Sequence, residues 1–387
     1  MIFEVNRVIM NEAVKNVAKV APSNAPMDIL NGILIESNEE TGEIYLTATN
    51  HEVSIHQKIR ASVQRSGTML INSRLLTGMI SRLGGELIAM SADNPQCIEV
   101  RSGSCAYNIA CLPAQNYPKP IMPFPEESVI MTGICSLAKR TAFAVSTETY
   151  KPAMQCVQVK LKNNAVHAVA LDGNRIILIK DDAEHKEQRE FLIPGRALQL
   201  LASISSDDDV FEVGDIGNEI VFVRGDMIFT IRKLHTGTFI NTTALIKQIK
   251  PVYFAVTDVF RMREALDIIS VSTSAGGKKE PINIAFGDGE IIVRCTGDHI
   301  TSSTSLAANV TAQTESAGFF YDGSALLKLF QIVKGRMKIS LDSKGFMMIK
   351  TRNEVYCQGP VRPRAKKDKL SEAQQCAKGA QKVNEAA

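Results

Sequence analysis

The chain has 387 residues, 45% of them hydrophobic, and a formal net charge of +3. That length corresponds to roughly two to four domains of ordinary size, each apolar enough to bury a core. No run approaches the roughly 20 apolar residues that span a bilayer, and Met1-Ile2-Phe3-Glu4-Val5 lacks the basic-then-apolar layout of a secretory signal, so a cytoplasmic chain with no membrane partner is expected.

In chain order, the first predicted element is an amphipathic helix with Val14, Val17, Ala18 and Ala21 on one stripe and Asn11, Lys15 and Lys19 on another. Gly32 to Glu36 reads as a strand, Ala48-Thr49-Asn50-His51-Glu52 as a polar turn, Asn72-Ser73-Arg74-Leu75-Leu76 as the start of a second helix, and Cys97 to Val100 as another strand. Pro118 to Pro125 marks a linker.

The pattern then repeats. A helix with Ile134, Leu137, Ala138 and Ala142 inward and Lys139 and Arg140 outward precedes a strand at Val157 to Leu161. A turn at Leu171-Asp172-Gly173-Asn174-Arg175, a helix from Pro194-Gly195-Arg196 and a strand at Glu219 to Val223 complete the copy. A second linker is predicted at Ile246 to Pro251. A third copy has Thr257-Asp258 capping a helix with Val259, Met262, Ala265, Leu266 and Ile269 inward and Arg261 and Arg263 outward. It continues with a strand at Ile282 to Phe286, a turn at Cys295-Thr296-Gly297-Asp298-His299, a helix from Asp322-Gly323-Ser324 and a strand at Met347 to Lys350.

Arg74 and Arg196 are 122 residues apart, and Arg196 and Ser324 are 128 apart, so whole domains repeat rather than solenoid units. Two helix-plus-antiparallel-strand segments per domain predict an α+β fold with the helices on one face of each sheet.

The eight cysteines form no CxxC pair, which suits neither a zinc site nor a disulfide framework; small buried thiols are expected, and no metal or cofactor. His51-Glu52-Val53-Ser54-Ile55-His56 is one residue too long for HExxH. Gly276-Gly277-Lys278-Lys279 lacks the spacing and hydroxyl of a P-loop, and no GxGxxG or GxSxG is present. Asp172 and Asp298 read as turn formers. No catalytic residue is assigned. Residues 363–387 hold six bases against three acids, which leaves 38 of each in the remainder. A neutral body can attract nucleic acid only through local patches, such as the basic outer stripe that recurs on the first helix of each copy.

Phe143-Ala144-Val145-Ser146-Thr147-Glu148-Thr149, Ala170-Leu171-Asp172-Gly173-Asn174-Arg175 and Leu192-Ile193-Pro194-Gly195-Arg196-Ala197-Leu198 resemble the middle domain of the bacterial sliding clamps, the β subunits of DNA polymerase III. Arg101-Ser102-Gly103-Ser104 and Leu112-Pro113-Ala114-Gln115-Asn116-Tyr117-Pro118 support this in the first domain. Tyr356-Cys357-Gln358-Gly359-Pro360-Val361-Arg362 is similar to the family's closing segment. The resemblance covers about residues 1–362. It implies three tandem clamp domains (1–121, 125–246 and 250–362) with helices inside and antiparallel sheets outside, followed by a disordered basic tail at 363–387.

The resemblance also implies a non-catalytic replication processivity factor, a head-to-tail homodimeric ring of six domains around duplex DNA. Twelve helices at an interaxial spacing of about 9–10 Å put their axes on a circle roughly 37 Å across, wide enough for a duplex once one helix diameter is subtracted. Lys15, Lys19, Asn24, Arg74, Lys139, Arg140, Lys151, Arg196, Arg261 and Arg263 would face DNA without reading bases. Asn24 stands where the family often has Arg.

Further partners implied are the polymerase III alpha subunit, the clamp loader, and other polymerases and repair proteins carrying a clamp-binding peptide. Their groove would use Met154, Leu171, Gly173, Asn174, Arg175, Ile176, Ile240, Leu245, Pro360, Val361 and Arg362. Departures reshape it: Asn174 replaces a common His, Ile240 a Pro, Ala244 an Arg and Gly359 a bulkier apolar residue. Ring closure would join an edge strand carrying Tyr107 and Ile109 to the region of Ile268 and Ile269. The tail, starting beside the groove, would modulate peptide access or add weak attraction for DNA. The alternative is a DNA-binding paralogue of the clamp that forms no ring.

Overall fold

The computed structural model describes residues 1–122, 124–183, 188–235, 238–274, 280–297, 300–312 and 318–362. The first repeat contains β1 (Ile2–Asn6), α1 (Arg7–Ala18), β2 (Gly32–Asn38), β3 (Glu43–Thr49), β4 (Val53–Arg60), β5 (Ser62–Arg65), β6 (Gly67–Asn72), α2 (Ser73–Ile80), β7 (Leu87–Asn94), β8 (Cys97–Ser102) and β9 (Cys105–Ala110). The second contains β10 (Val129–Met131), α3 (Ile134–Thr141), β11 (Cys156–Lys162), β12 (Ala165–Leu171), β13 (Arg175–Asp182), β14 (Arg189–Pro194), α4 (Gly195–Ser203), β15 (Phe211–Ile216), β16 (Glu219–Arg224) and β17 (Met227–Arg232). After a short α5 (Thr242–Gln248) the third contains β18 (Pro251–Asp258), α6 (Val259–Ser274), β19 (Ile282–Phe286), β20 (Glu290–Thr296), β21 (Thr301–Ala307), β22 (Asn309–Ala312), β23 (Phe319–Tyr321), α7 (Gly323–Ile332), β24 (Arg336–Asp342), β25 (Met347–Lys350) and β26 (Glu354–Gln358). Strand, helix, strand meander, helix and three more strands thus recur three times. The second predicted linker is helical through Gln248, where α5 occupies its first half.

Helix starts follow their caps. The side chains of Asn6, Asn72 and Asp322 accept hydrogen bonds from the first free amides of α1, α2 and α7, and Asp258 accepts from Phe260 N–H at 2.7 Å in α6. The repeated turn also has one physical basis. Asn50 N–H donates to Val53 O (3.1 Å), Asp172 N–H to Arg175 O (3.3 Å) and Gly297 N–H to Ile300 O (2.9 Å). In the first two turns, the Asn50 and Asp172 side chains accept two amides each. Asp298 and His299 of the third turn lie outside the described residues, as do Gly276 to Lys279 and the predicted 363–387 tail.

The chain divides into two compact units, Met1–Lys247 with Arg352–Tyr356, and Gln248–Thr351 with the segment from Cys357. The first holds two repeats because they share a sheet, ordered β10-β15-β16-β17-β4-β3-β2-β6. At its centre β17 pairs antiparallel with β4, from Met227 opposite Gln57 to Ile231 opposite Val53. Lys58 extends the junction: its N–H donates to Asp226 O at 2.9 Å, and its ammonium lies 3.0 Å from the Asp226 carboxylate and 3.3 Å from that of Glu43. The first repeat's other sheet runs β5-β1-β7-β8-β9, and the second repeat's other strands run β14-β11-β12-β13. In the second unit β18 lies between β24 and β22, and a separate sheet runs β21-β20-β19-β23.

Helices pair within each repeat, α1 with α2, α3 with α4 and α6 with α7. Of the inward stripes read from the sequence, Val14 and Val17 on α1, Ala21 just after it, Ile134, Leu137 and Ala138 on α3, and Met262, Leu266 and Ile269 on α6 are buried; Ala18 is half-buried, and Met10 and Ala13 complete the α1 stripe. The three stripes pack on β3 and β4, on β12, and on β20 and β21 respectively. No described helix is long and apolar enough to cross a membrane.

Phe229, fully buried beside the β4–β17 junction, tests its weight. Phe229→Ala is expected to destabilise the first unit by about 3–5 kcal/mol, read as a lower denaturant midpoint with an unchanged slope.

Candidate functional site

The outward stripes divide into exposed cations and cations engaged in the fold. Lys15 on α1, Arg74 on α2, Lys139 on α3, Arg196 on α4 and Arg261 on α6 are exposed, as are Asn24 and Lys151. The Lys151 ammonium sits 5.3 Å from the Tyr150 ring centroid. Arg74 and the α2 cap Asn72 share a cavity of about 390 Å³ with Ala18, Ser23 and Asn31. The end of α1 and the start of α2 therefore form one recess with a cation at its rim, suited to an anion.

Three predicted DNA-facing cations make hydrogen bonds within the fold, Lys19 while remaining exposed, Arg140 and Arg263 while half-buried. The Lys19 ammonium donates to Ser203 O at the end of α4. Arg263 donates to the carbonyls of Phe330, Gln331 (2.9 Å) and Val333 (2.8 Å), capping the C-terminus of α7. Arg140 is a correction to the outward placement on α3, since its side chain is only 17% exposed. Its Nη1 donates to Asp181 Oδ1 and to Glu354 Oε1, each at 3.0 Å, and its Nη2 pairs with Asp181 Oδ2. Burial opposes the guanidinium's charge, but hydrogen bonds to the two carboxylates outweigh it and raise its pKa. Spacing alone places these residues off the core, yet it cannot detect acceptors distant in sequence.

Of the groove residues, eight fall in the first unit and three in the second. Met154 and Leu171 are buried, 8% and 2% exposed, so little of either side chain reaches the surface of its own repeat. Ile176 and Ile240 are half-buried, while Leu245, Gly173 and Asn174 are exposed. Gly173 takes a φ of +95°, which suits glycine at this tight turn. Arg175 Nε donates to Asp172 Oδ2 at 2.7 Å, so its guanidinium is held over the turn. In the second unit Pro360 and Val361 are half-buried and Arg362 is exposed; Val361 N–H donates to Phe320 O at 2.7 Å.

The strand carrying Tyr107 and Ile109 is an edge strand, β9. Tyr107 is 41% exposed, whereas Ile109 faces its own core opposite Ile98. On α6, Ile268 is 58% exposed but Ile269 is fully buried. Ile109 and Ile269 are therefore corrected from interface to core. Phe260 and Val271, which the sequence reading passed over, join Ile268 as an exposed apolar stripe on α6. Their spacing at positions 260, 268 and 271, opposite the core stripe, was the available signal.

Among the described residues no group of three or more His, Cys, Asp or Glu is arranged to hold a metal. His51 sits in the turn before β4 at a φ of +70°, not in the strand with His56. Cys135, Cys156, Cys295 and Cys357 are buried as expected, and burial pushes the Cys156 and Cys357 thiols up to about 12. Cys105 is exposed, contrary to expectation, at the start of β9, where most side chains are exposed.

The model for the N-terminal domain of the DNA polymerase III beta subunit matches residues 1–122, and that for its central domain matches residues 131–241, together more than half of the chain. The chain is similar to a protein named beta sliding clamp from Halalkalibacterium halodurans, 23% identical over 353 residues covering 86% of this chain and 90% of that one. It is also similar to the beta sliding clamp of Bacillus subtilis, 26% identical over 263 residues covering 64% of this chain and 68% of the relative. Its fold is similar to the solved structure of a putative DNA polymerase III beta subunit from Eubacterium rectale, with a TM-score of 0.85 at 17% identity, covering 94% of this chain and all of that one. The DNA polymerase sliding clamp of Bacillus subtilis gives 0.83 at 20% identity, with the same coverages.

Arg263→Ala removes the cation from the end of α7. A loss of about 1–3 kcal/mol is expected, measured by denaturation of the whole chain.

Proposed function

We propose, because the chain belongs to the DNA polymerase III beta subunit family, the sliding clamps of DNA replication, that two copies close head to tail into a ring around duplex DNA. The subunit is non-catalytic. The observation that carries the ring is the β4–β17 junction. By element order β17 is the last strand of its repeat and β4 the fourth. The last strand of the first repeat, β9, and the fourth strand of the third repeat, β21, are each at the edge of their sheets. Such edges offer unpaired backbone donors and acceptors, and joining β9 of one copy to β21 of another repeats the junction already made within the chain. Tyr107 beside β9, and Phe260, Ile268 and Val271 on α6, supply apolar surface for that seam.

Duplex DNA would meet the exposed Lys15, Lys19, Asn24, Arg74, Lys139, Lys151, Arg196 and Arg261. Phosphate attraction without base contacts permits sliding on any sequence, and topology rather than affinity retains the ring. The three-domain division at 1–121, 125–246 and 250–362 follows the three-fold recurrence of elements. Ile176, Ile240, Leu245, Arg175, Pro360, Val361 and Arg362, with the Gly173-Asn174 turn, would take the clamp-binding peptides of the polymerase III alpha subunit, the clamp loader and other polymerases and repair proteins.

Two measurements test this reading. Chain loaded on nicked circular DNA by the clamp loader with ATP is expected to stay bound until the circle is cut once, then to run off. Equal retention on circle and line would instead identify a DNA-binding paralogue that forms no ring. Ile268→Asp, which puts a charge into the seam but leaves the core untouched, is expected to shift sedimentation from dimer to monomer; an unchanged dimer would sink this placement of the interface.

A further inference from the structure

The first repeat carries a recess of about 620 Å³ lined by Glu36, Glu40, Tyr45, His56, Thr68 and Lys119, among others. Strand register builds its floor. Glu36 on β2 lies opposite Tyr45 on β3 and Thr68 on β6, and Thr47 on β3 lies opposite His56 on β4. Side chains alternate between the two faces of a sheet. Ile44, Leu46 and Ile55 are fully buried on the face where α1 packs, so the half-buried Tyr45 and His56 stand on the opposite face.

Two aromatic rings form a platform there. Tyr45 and His56 stack with centroids 5.2 Å apart and planes 20° from parallel. Each ring is fixed by a polar atom of its own: Tyr45 OH donates to Glu43 Oε2 at 2.6 Å, and His56 Nδ1 lies 2.9 Å from the Thr47 hydroxyl. Burial holds the imidazole below its ordinary pKa, against the pull of Glu36 and helped by Lys119, so at neutral pH the pair is an uncharged π surface. The charges around it favour a cation. Glu36 and Glu40 line the recess against one base, Lys119, whose ammonium lies 2.7 Å from the Glu36 carboxylate. The chain thus places a cation of its own linker in the recess. The Glu40 carboxylate is exposed and makes no ion pair among the described residues.

We propose that this recess is a docking site for an arginine side chain presented by a protein partner, its guanidinium lying against the Tyr45–His56 pair and forked onto Glu40 beside Glu36. A guanidinium is planar, stacks on aromatic faces and donates in pairs to a carboxylate, whereas an ammonium is a compact, strongly hydrated point charge. A phosphate-bearing ligand would meet two carboxylates against one ammonium. Free arginine would bring its own carboxylate towards Glu36 and Glu40, a repulsion that a side chain on a peptide backbone avoids. The recess lies on the sheet face opposite α1, the helix that carries Lys15, so a partner seated there leaves that cation uncovered.

The test uses the full chain labelled with 13C-histidine and the peptide acetyl-Gly-Arg-Gly-amide. The ring signals of His56, assigned through His56→Gln, are followed by NMR as peptide is added. A saturable shift is expected at roughly millimolar peptide, and none with the citrulline analogue, which keeps the shape and lacks the charge. Free arginine is expected to bind about tenfold more weakly than the peptide. Glu40→Lys changes an exposed turn residue without touching the core, and is expected to weaken binding about tenfold. Tyr45→Leu keeps apolar bulk but removes the π face, and a loss of about fivefold is expected. No saturable shift, an equal shift with the citrulline analogue, or unaltered binding by Glu40→Lys overturns the site. Unaltered binding by Tyr45→Leu reduces it to an acidic surface, and free arginine binding as tightly as the peptide replaces the protein partner with a metabolite; either result overturns the proposal as well.

Discussion

A β-sheet ends in a strand whose outer donors and acceptors need a partner, and the architecture of this chain is organised by how those edges are met. Each repeat has two sheets, and therefore more edges than it can cover itself. Between the first and second repeats the solution is direct backbone pairing of β17 with β4, supplemented by Lys58 reaching Asp226 and Glu43. That contact turns two repeats into one compact unit. Among the strands left at sheet edges are β9 and β21, the two that the ring proposed above would join.

Charge follows a similar division of labour. The body is balanced between acids and bases, so a cation reaches DNA only if the fold leaves it exposed. Lys19 and Arg263 end helices, and Arg140 bridges two acids. A guanidinium held by three carbonyls or two carboxylates contributes order rather than an open positive surface. The exposed set is smaller than the periodic pattern implies. In the ring proposed above, a sparse set of exposed cations would suit weak, sequence-independent contacts with phosphates.

Much of the fold was legible because repetition amplified weak local signals. Helices α1, α2, α6 and α7 begin at capping side chains, and much of the core stripes of α1, α3 and α6 was readable from spacing. The misses have specific causes. Ile109 and Ile269 were assigned to a seam because an apolar residue looks alike in a core and in an interface; only the paired strand opposite Ile109 and the burial of Ile269 decide between them. Met154 and Leu171 were ambiguous for the same reason. Arg140 was misplaced because Glu354 lies 214 residues away, beyond any window in which periodicity operates. The site was thus readable as a list of residue types but not as a set of partnerships.

The turn after the second strand of each meander shows how such a protein can diverge. Three different residues, Asn50, Asp172 and Gly297, donate the same main-chain hydrogen bond. The bond is specified by backbone geometry, and any residue tolerant of that geometry can provide it. Mutation can therefore exchange letters at these positions without moving the strands that flank them. Solved structures only 17–20% identical to this chain share its fold, as expected when backbone hydrogen-bond register rather than side-chain identity carries these turns.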